Sequence, residues 1–504
     1  MPAQTVAMPQ RWPLVQQFYT RSSDIPITKD ARLVNAFAEK DSENEYWVNK
    51  RVGISPTPQF TLPNGQAGGV YYYSSNNQVI SVVGQDVYIN SSFVGTVVNF
   101  VPPTVLTPQF FFETINSSPT QTVVIKNTSG AAILDPTAQT LTQITDPNFP
   151  DFTCPGWAYL DGTLYVMDFS GGIHGTLGFN DASVWDPLSL IFASSKGDLG
   201  VALFTQLTFV VAFKQWTTQI FYDAFNPTGS PLGQVPEAQI PYGCLHANSI
   251  QKIDEILFWI SSNQTISPQV IMMENLAPKI ISTPSIDRML DNLQINILPG
   301  GPHRIGFPTV NDNTLYSFSF KHQGHRFYGI THTSLNFTLV YDIDQKLWYQ
   351  WTDANGNYWP MSNCSYIAPT PTSKGLHIAQ ALPGTSLPGS IYLIDADTVF
   401  PNDMGVLFPV DIYTPNFTAG TDRRKVLNAL YFTSDQTPGS QMQARYSDND
   451  YKDWSNFRTV DLNDNKPFID QEGTFTKRAY HLRHRCNTRF RIKTAGMQLD
   501  IGSL

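Results

Sequence analysis

Short apolar runs, separated by turn-forming residues, recur along most of the chain and predict β-structure. The clearest case is GGVYYYSSNNQVISVVGQDVYINSSFVGTV, residues 68–97, which divides into four short segments rich in β-branched and aromatic residues. Asn76-Asn77 and Gly84-Gln85 supply tight turns between these segments. Four short antiparallel strands in about 30 residues are typical of one blade of a β-propeller.

Comparable groups of apolar runs follow this first group, spaced by roughly 30 to 65 residues, which is too irregular for a named repeat such as WD40. They occupy residues 122–145, 157–170, 200–224, 246–273, 313–351 and 376–400. We therefore predict an all-β fold in which residues 56–405 form a β-propeller of six to eight blades.

The pattern changes after about residue 405, where longer alternating strands are expected, as in PVDIYTPNF and TRFRIKTAGMQLDIG. Residues 406–504 are predicted to form a separate β-sandwich-like domain. Residues 1–55, before the first blade, are predicted to form an N-terminal arm. The best helical segment is STPSIDRMLDNL, residues 282–293, because its apolar residues fall on one face.

Composition indicates a surface that is poor in charge, because only 14% of the 504 residues are charged against roughly 25% in an average globular protein. The net charge is −9, but it is unevenly distributed. Residues 473–499 hold seven Lys or Arg and no acidic residue. The acidic remainder argues against a general grip on nucleic acid and is compatible with a surface along which DNA slides.

The basic C-terminal segment is the strongest charge feature. In RFRIKTAGMQL, residues 489–499, basic and apolar residues alternate at the start, so a strand there has one basic and one apolar face. It is either a solvated edge strand whose charges prevent pairing or an electrostatic contact with an acidic neighbouring subunit or DNA. The candidate subunit or DNA contact residues are Arg423, Arg424, Lys425, Arg483, Arg485, Arg489, Arg491 and Lys493.

The cysteines predict neither a metal site nor a redox motif. Cys154, Cys244, Cys364 and Cys486 stand far apart, and we expect them to be reduced core residues. The N-terminus has no apolar signal core, and no run approaches the roughly 18 apolar residues of a membrane span. We expect no membrane insertion.

The stretch YSDNDYKDWSNF, residues 446–457, nearly matches the Ser-x-Asp-x-Gly-x-x-Trp box of sialidase propellers. Asn449 and Tyr451 replace the Asp and Gly of that box, which occurs once here and is structural even when intact. We expect a polar loop between strands 441–446 and 457–462, with Trp454 packed against it.

Other catalytic and metal-binding patterns are incomplete. HLRHRC, residues 481–486, lacks a second ligand pair and has basic neighbours, and DIDQKLW, residues 342–348, lacks the Gly and final Glu of a calcium loop. His322, His325 and His332 are expected at a surface or interface. The chain has no Walker loop, Gly-x-Ser-x-Gly or His-Glu-x-x-His. We expect no catalytic residues, cofactor or metal.

Several segments, taken in their order, resemble the tail hub of short-tailed bacteriophages, also called the head-completion or packaged-DNA stabilisation protein. These segments are LVNAFAEKDSENEYWVNKRVGI (33–54), the first predicted blade (68–97), TTQIFYDAFNPTG (217–229), IPYGCLHANSIQKIDEILFWIS (240–261), STPSIDRML (282–290), LVYDIDQKLWYQW (339–351) and RFRIKTAGMQLDI (489–501). No single motif is diagnostic, and residues 98–200 and 353–410 match poorly.

This resemblance implies a structural virion protein without catalysis, located in the phage tail and made in the host cytoplasm. It would form a hexameric ring, or nozzle, that joins the ring-shaped portal adaptor to the distal tail and connects head to tail. The expected partners are other copies of the chain, the portal-adaptor ring, tail needle, spike or fibre proteins, and the double-stranded DNA that the ring retains and then releases during ejection. The alternative is a carbohydrate-active propeller, a glycosidase or a lectin; a glycosidase would need two carboxylates about 5 to 9.5 Å apart in a cleft.

Overall fold

The structure is a computed structural model that describes residues 10–16, 31–98, 109–194, 196–263, 265–297, 314–394 and 401–501. Within these ranges the regular secondary structure is nearly all β, with a single α-helix. The first four strands are β1 (Gln10–Trp12), β2 (Arg32–Val34), β3 (Ala36–Lys40) and β4 (Tyr46–Lys50).

Seven groups of antiparallel strands follow one another along the described part of the chain, and each is one blade of a propeller; six are small sheets of their own and blade 6 is part of a larger sheet. Blade 1 is β5 (Ala67–Tyr73), β6 (Gln78–Val83), β7 (Asp86–Ile89) and β8 (Ser92–Thr96). Blade 2 is β9 (Phe111–Ile115), β10 (Thr122–Lys126), β11 (Ala131–Asp135) and β12 (Thr140–Gln143). Blade 3 is β13 (Ala158–Leu160), β14 (Thr163–Met167), β15 (Gly172–Thr176) and β16 (Trp185–Phe192). Blade 4 is β17 (Gly200–Gln206), β18 (Phe209–Lys214), β19 (Thr218–Asp223) and β20 (Leu232–Ile240).

Two more full blades and a smaller sheet complete the propeller. Blade 5 is β21 (Gly243–Cys244), β22 (Gln251–Ile253), β23 (Ile256–Ser262), β24 (Val270–Glu274) and β25 (Ala277–Ile280), and α1 (Pro284–Ile297) follows it. Blade 6 is β26 (Leu315–His322), β27 (His325–His332), β28 (Phe337–Asp342) and β29 (Leu347–Gln350). The three-stranded blade 7 is β30 (Met361–Ile367), β31 (Leu376–Ala381) and β32 (Ile391–Leu393).

Blade 1 shows why this sequence makes tight hairpins. Asn77, Gly84 and Asn90 have φ angles of 52°, 64° and 55°, a left-handed conformation that Gly and Asn adopt most easily. The turns at Asn76-Asn77 and Gly84-Gln85 that the sequence predicts therefore fall where the strands reverse.

Each blade packs its apolar face against the next. Phe213 in blade 4 and Trp259 in blade 5 have ring centroids 5.0 Å apart, and Phe258 in blade 5 and Tyr328 in blade 6 are 4.9 Å apart. Because aromatic pairs bury large areas and favour such separations, they stabilise the blade order. The helix α1 covers blades 5 and 6 with Ile286, Leu290 and Leu293, which confirms the predicted apolar face.

A buried glutamine closes the ring between blades 7 and 1. Gln380 donates through Nε2 to the Val82 carbonyl at 2.9 Å and accepts from the Gly69 amide at 3.0 Å. Around it, Val79 of blade 1 packs with Ile378 of blade 7 in a shared apolar cluster. The all-β class and the propeller are confirmed, with six full blades and a seventh sheet of three strands.

The C-terminal strands form two sheets that enclose one apolar core, which is the arrangement of a β-sandwich. They are β33 (Val410–Tyr413), β34 (Lys425–Ser434), β35 (Gln441–Ser447), β36 (Arg458–Asp461), β37 (Phe468–Asp470), β38 (Thr474–Phe475), β39 (Ala479–His484) and β40 (Arg491–Ile501). One sheet has the order β3-β4-β40-β34-β37, with β1 also on β40 and β38 on β34. The other has the order β2-β33-β39-β35-β36. Where it is described, the segment that we predict as an N-terminal arm thus supplies strands to both sheets; the domain boundaries at residues 55 and 405 stay predictions.

The propeller and the sandwich share one sheet. Strand β2 pairs with β29 of blade 6 through Val34 and Gln350, so the second sandwich sheet continues into that blade. The apolar cluster of the sandwich, with Trp12, Phe37 and Leu482, extends to Trp351 beside blade 6. Hydrogen bonds and a common core therefore connect the two parts at the junction.

Arg51 lies at the centre of this junction and is 2% exposed. Its guanidinium makes two hydrogen bonds to Asp403, at 2.9 and 2.5 Å, and further bonds to Asn35 Oδ1, the Val52 carbonyl and the Thr352 carbonyl. All five N–H donors are satisfied, which is the condition for burying an arginine without a large cost.

Candidate contact surface at the propeller–sandwich junction

The eight predicted contact residues do not form one surface. Arg423, Arg424, Arg485 and Arg489 are exposed, and their guanidinium groups make no ion pair with any residue that the structure describes. The other four residues are engaged in contacts within the chain.

Lys425 and Arg483 have structural partners. Lys425 is fully buried and donates to the carbonyls of Thr421, Arg423 and Thr476 at 2.5 to 2.8 Å, so it ties the turn before β34 to the strand beside it. Arg483 donates to Asp411 at 2.6 Å, and the same carboxylate bonds His481 at 2.6 Å. Lys425 therefore presents no charge to a partner, and Arg483 shares its charge with Asp411.

Lys493 lies against an acidic turn between β3 and β4. Its Nζ is 2.7, 3.3 and 3.0 Å from carboxylate oxygens of Asp41, Glu43 and Glu45. The hydrogen bond to Asp41 raises the pKa of Lys493, and the same bond lowers the pKa of Asp41. The three carboxylates are close enough to suit a metal ion, but the ammonium group already stands among them. The predicted basic face of β40 is therefore partly neutralised.

Two adjoining cavities meet at the tip of blade 6, one among blades 5, 6 and 7 and the other between blade 6 and the sandwich. The larger, of about 1080 Å³, is lined by the β22–β23 turn, the β26–β27 turn and blade 7. The smaller, of about 330 Å³, lies between the β26–β27 turn and the strands β3, β4 and β40. Both include His322 and Gln323 in their walls, so the cavities meet at the tip of blade 6. We call the two together the junction groove.

The lining of the junction groove is strongly basic. Its Lys and Arg residues are Lys50, Arg51, Lys252, Lys321, Arg326, Lys374, Arg489 and Arg491. Its acidic residues are Glu39, Asp254 and Asp435. The sequence predicts Arg489 and Arg491 as contact residues, and the fold brings them beside Lys50 and Arg51, which the sequence did not indicate. No local signal could have found the set, because its members come from segments throughout the chain.

The histidines of blade 6 have two different environments. His325 is buried and bonds Asp342 at 2.7 Å. Burial disfavours its protonation, but the hydrogen bond to Asp342 and the attraction of nearby carboxylates together outweigh burial and raise its pKa. His322 lies at the meeting point of the two cavities. His322, His325 and His332 are all buried, with 8%, 4% and 3% of their surface exposed, so the expectation of surface histidines is wrong for all three.

The stretch at residues 446–457 is a structural loop, as predicted. Asn449 accepts a hydrogen bond from the Asp453 amide at 2.9 Å, so it performs the turn-stabilising role of the Asp that it replaces. Asp448 bonds the buried Arg478 twice, at 2.7 and 2.8 Å. Trp454 packs its ring against His481. These contacts hold the loop on the sandwich.

The larger cavity has few groups suited to glycosidase chemistry. Among the residues that the structure describes, the larger cavity is lined by a single carboxylate, Asp254, and this group forms an ion pair with Lys321. Buried Cys154 and Cys244 are free thiols, and burial raises the pKa of both, so they are poor nucleophiles. No helix in the described ranges is long and apolar enough to cross a membrane.

Solved structures with similar architecture have low similarity scores. The N-terminal domain of Nup159 aligns with a TM-score of 0.39 and 9% identity, over 72% of this chain and 99% of that one. Raptor from Chaetomium thermophilum aligns with a TM-score of 0.39 and 10% identity, over 68% and 29%. The computationally designed Ika8 protein aligns with a TM-score of 0.36 and 9% identity, over 67% and 99%. Likenesses this weak support no conclusion about function.

No curated protein matches the chain. A family model does match, over residues 51–298, a range that begins at the buried Arg51 and covers blades 1 to 5 and the helix α1. Its description is "Bacteriophage P22 Gp10, beta-propeller", and the propeller found here agrees with it. The match over residues 51–298 supports the resemblance to phage head-completion and DNA-stabilisation proteins that the sequence segments indicate.

Proposed function

We propose that this phage structural protein is a tail hub. Copies of the chain form a hexameric nozzle ring that joins the portal adaptor to the distal tail, retains the packaged DNA and anchors spikes or fibres. The observation that carries the proposal is the family match over residues 51–298. That match supports a virion component with a head-completion role; the ring, its position in the tail and its partners are the proposed part.

Exposed apolar residues support self-association. Phe179, Leu188 and Phe225 are 78%, 74% and 79% exposed, on or beside the outer strands of blades 3 and 4. The turn that carries Phe225 lies near β16, since a Cβ built on Gly229 would be 3.8 Å from the Leu188 carbonyl. Contiguous exposed apolar surface marks protein interaction sites, and we take the neighbouring strand β16 and the β19–β20 turn as one such surface.

The continuous sheet at the junction suits a part that carries mechanical load. Strands β29 and β2 connect blade 6 to the sandwich through one hydrogen-bonded sheet, and Arg51 adds a buried ion pair beside it. The propeller and the sandwich would therefore move as one body when DNA presses on the tail. The net charge of −9 would also keep most of the surface from retaining DNA phosphates.

Assembly is the direct test. The purified chain, alone and mixed with the adaptor ring, is measured by size-exclusion chromatography with light scattering and imaged by electron microscopy. We expect a mass six times that of the chain and ring-shaped particles. A chain that stays monomeric at high concentration and is absent from virions would disprove the assembly role.

A matched pair of variants makes the test specific. The double variant Leu188→Ser and Phe225→Ser is expected to lower the ring fraction, because it removes exposed apolar area from blades 3 and 4. Val406→Ser with Leu407→Ser removes exposed apolar residues (57% and 43% exposed) near the sandwich and is the control. Equal loss of rings in both variants would show that the blade 3 and 4 surface has no special part in assembly.

A further inference from the structure

The junction groove concentrates positive charge in an acidic protein. Its walls carry eight of the 32 Lys and Arg residues but only three of the 41 Asp and Glu residues. The rest of the chain then holds 24 basic and 38 acidic residues. A concave surface lined mostly by one sign of charge focuses the field and attracts ions of the opposite sign.

Several of these cations already have a carboxylate partner. Arg51 uses all of its N–H donors in hydrogen bonds within the junction, and Arg326 bonds Asp344 at 2.8 Å. Arg491 is 3.8 Å from Glu39. Lys252 lies 2.8 Å from Glu255. These pairs reduce the charge of the groove but leave its lining basic.

Lys50 and Arg489 differ, because neither makes an ion pair with a described residue. Lys50 donates to the Cys486 carbonyl at 3.3 Å and lies 4.5 Å from the Phe408 ring centroid, which leaves N–H donors open. Arg489 is exposed at the edge of the same cavity. A partly buried ammonium without a counter-ion is costly, and a bound anion would offset that cost.

The pKa values agree with positive charge that nearby carboxylates compensate only in part. Burial lowers the pKa of Lys50 to about 8; repulsion from Arg51 adds to this effect, and attraction to Asp403 opposes it. Burial lowers the pKa of His484 to about 3, and Lys50 contributes to that decrease. An anion in the smaller cavity would favour the charged form of Lys50.

We propose that the junction groove binds phosphate groups, with Lys50 and Arg489 holding one phosphate in the smaller cavity and the larger cavity accommodating the phosphates that follow along a DNA backbone. The lining extends from blade 7 through the tip of blade 6 to β40, and this length suits a linear polyanion with regularly spaced charges. The choice of DNA as the source of the phosphates depends on the proposed function. The phosphate site itself is argued only from the residues that line the groove.

The test measures binding of a fluorescent 20-base-pair duplex to the full chain by anisotropy at several salt concentrations. The variant Lys50→Gln with Arg489→Gln is expected to weaken binding at least tenfold. It should also reduce the slope of log K against log [salt] by about 2, because two phosphate contacts are lost. The control Lys279→Gln with Lys452→Gln removes two exposed charges outside the groove and should change binding by about twofold or less.

The charge-preserving variant Lys50→Arg with Arg489→Lys is expected to retain the salt slope. Equal effects of the groove and control variants, or no binding by the unmodified chain, would overturn the proposal. Poly-glutamate is added as a competitor at the same charge concentration as the duplex. If it displaces the duplex, the proposal is also overturned, because the groove would then fit an acidic protein segment.

A second measurement separates the sources of phosphate. Inorganic phosphate is added at constant ionic strength, and the Tm of the chain is recorded. A rise in Tm that the Lys50→Gln with Arg489→Gln variant lacks supports a site that also takes free phosphate. Duplex binding without that rise supports the DNA backbone as the source.

If the chain forms no ring but the groove variants alter DNA binding as expected, the proposed function fails and this inference stands. If rings assemble normally from a chain that binds neither probe, the phosphate site fails and the proposed function stands.

Discussion

Replacing Arg51 with methionine tests whether the buried ion pair holds the propeller and the sandwich together. The substitution keeps an apolar stem of similar volume and removes the guanidinium. It leaves Asp403, which is 4% exposed, without its bidentate partner. It also leaves the Val52 and Thr352 carbonyls without the hydrogen bonds that Arg51 donates, at 2.7 and 2.8 Å.

The expected cost at neutral pH is about 4 kcal/mol. Removing one member of a buried pair costs about 3 to 5 kcal/mol because an uncompensated charge remains. The two carbonyls would add about 1 kcal/mol or more each, but removing the buried guanidinium also removes its own desolvation cost. Asn35 Oδ1 keeps a donor in the Thr352 amide, at 2.8 Å, and adds little to the loss.

The cost should depend on pH in a known direction. Burial already raises the pKa of Asp403, against the opposing effect of Arg51, and loss of Arg51 raises it further. A carboxyl whose pKa is higher in the folded state than in the unfolded state binds extra protons on folding, so its contribution to stability is lost as pH rises through the folded pKa. The variant should therefore lose more stability at pH 7 than at pH 4.5.

Urea unfolding, followed by tryptophan fluorescence and by far-UV circular dichroism at both pH values, provides the measurement. The double variant Arg51→Met with Asp403→Asn should regain about 2 kcal/mol relative to Arg51→Met alone, because no charge is then left unpaired. Arg424→Met, at an exposed position, is the control and should change stability by about 0.5 kcal/mol or less. A cost below about 1 kcal/mol for Arg51→Met, additive effects in the double variant, or a loss that does not change with pH would refute the reasoning.

Three further predictions concern buried groups and chemistry. Lys126 is fully buried, and burial lowers its pKa to about 7. Above that pH the unfolded chain binds more protons than the folded chain, so the free energy of unfolding of the unmodified chain rises with pH. Lys126→Met should reduce this rise between pH 7 and 9 by up to about 2.7 kcal/mol, as measured by urea unfolding. A Cβ added at Gly243 would lie 2.3 Å from the Gln215 carbonyl, whereas one at Gly197 would meet nothing within 4 Å. Gly243→Ala should therefore lower the Tm by several degrees more than Gly197→Ala. No turnover is expected on a panel of chromogenic glycans, and hydrolysis at a rate that scales with protein through purification would contradict that expectation.

The propeller could be predicted from local patterns, because each blade is built from short-range hairpins. Residues 68–97 contain all four strands of blade 1 and the turn residues between them. The loop at residues 446–457 was predictable for the same reason, since Asn449 and its partner Asp453 are four residues apart. Local order of this kind depends on contacts between residues that are close in sequence.

Pairing between distant segments could not be predicted in this way. Nothing near Tyr46–Lys50 indicates that this strand pairs with β40, more than 400 residues later. The same pairing places Lys493 against the acidic turn of Asp41, so a strand that looked like a free basic face is partly neutralised. Charge patterns predict which side chains share a face but not which charges will oppose them.

The sequence by itself therefore determined the fold class, the hairpin turns and the apolar face of α1, because these depend on residues that are close to one another in sequence. Only the tertiary structure decided where positive charge accumulates. Lys50, the lining residues of blades 5 to 7 and Arg489 meet in one groove because the sandwich takes strands from both ends of the chain and continues into blade 6. Electrostatic potential sums over neighbours in space, and those neighbours are set by long-range strand pairing.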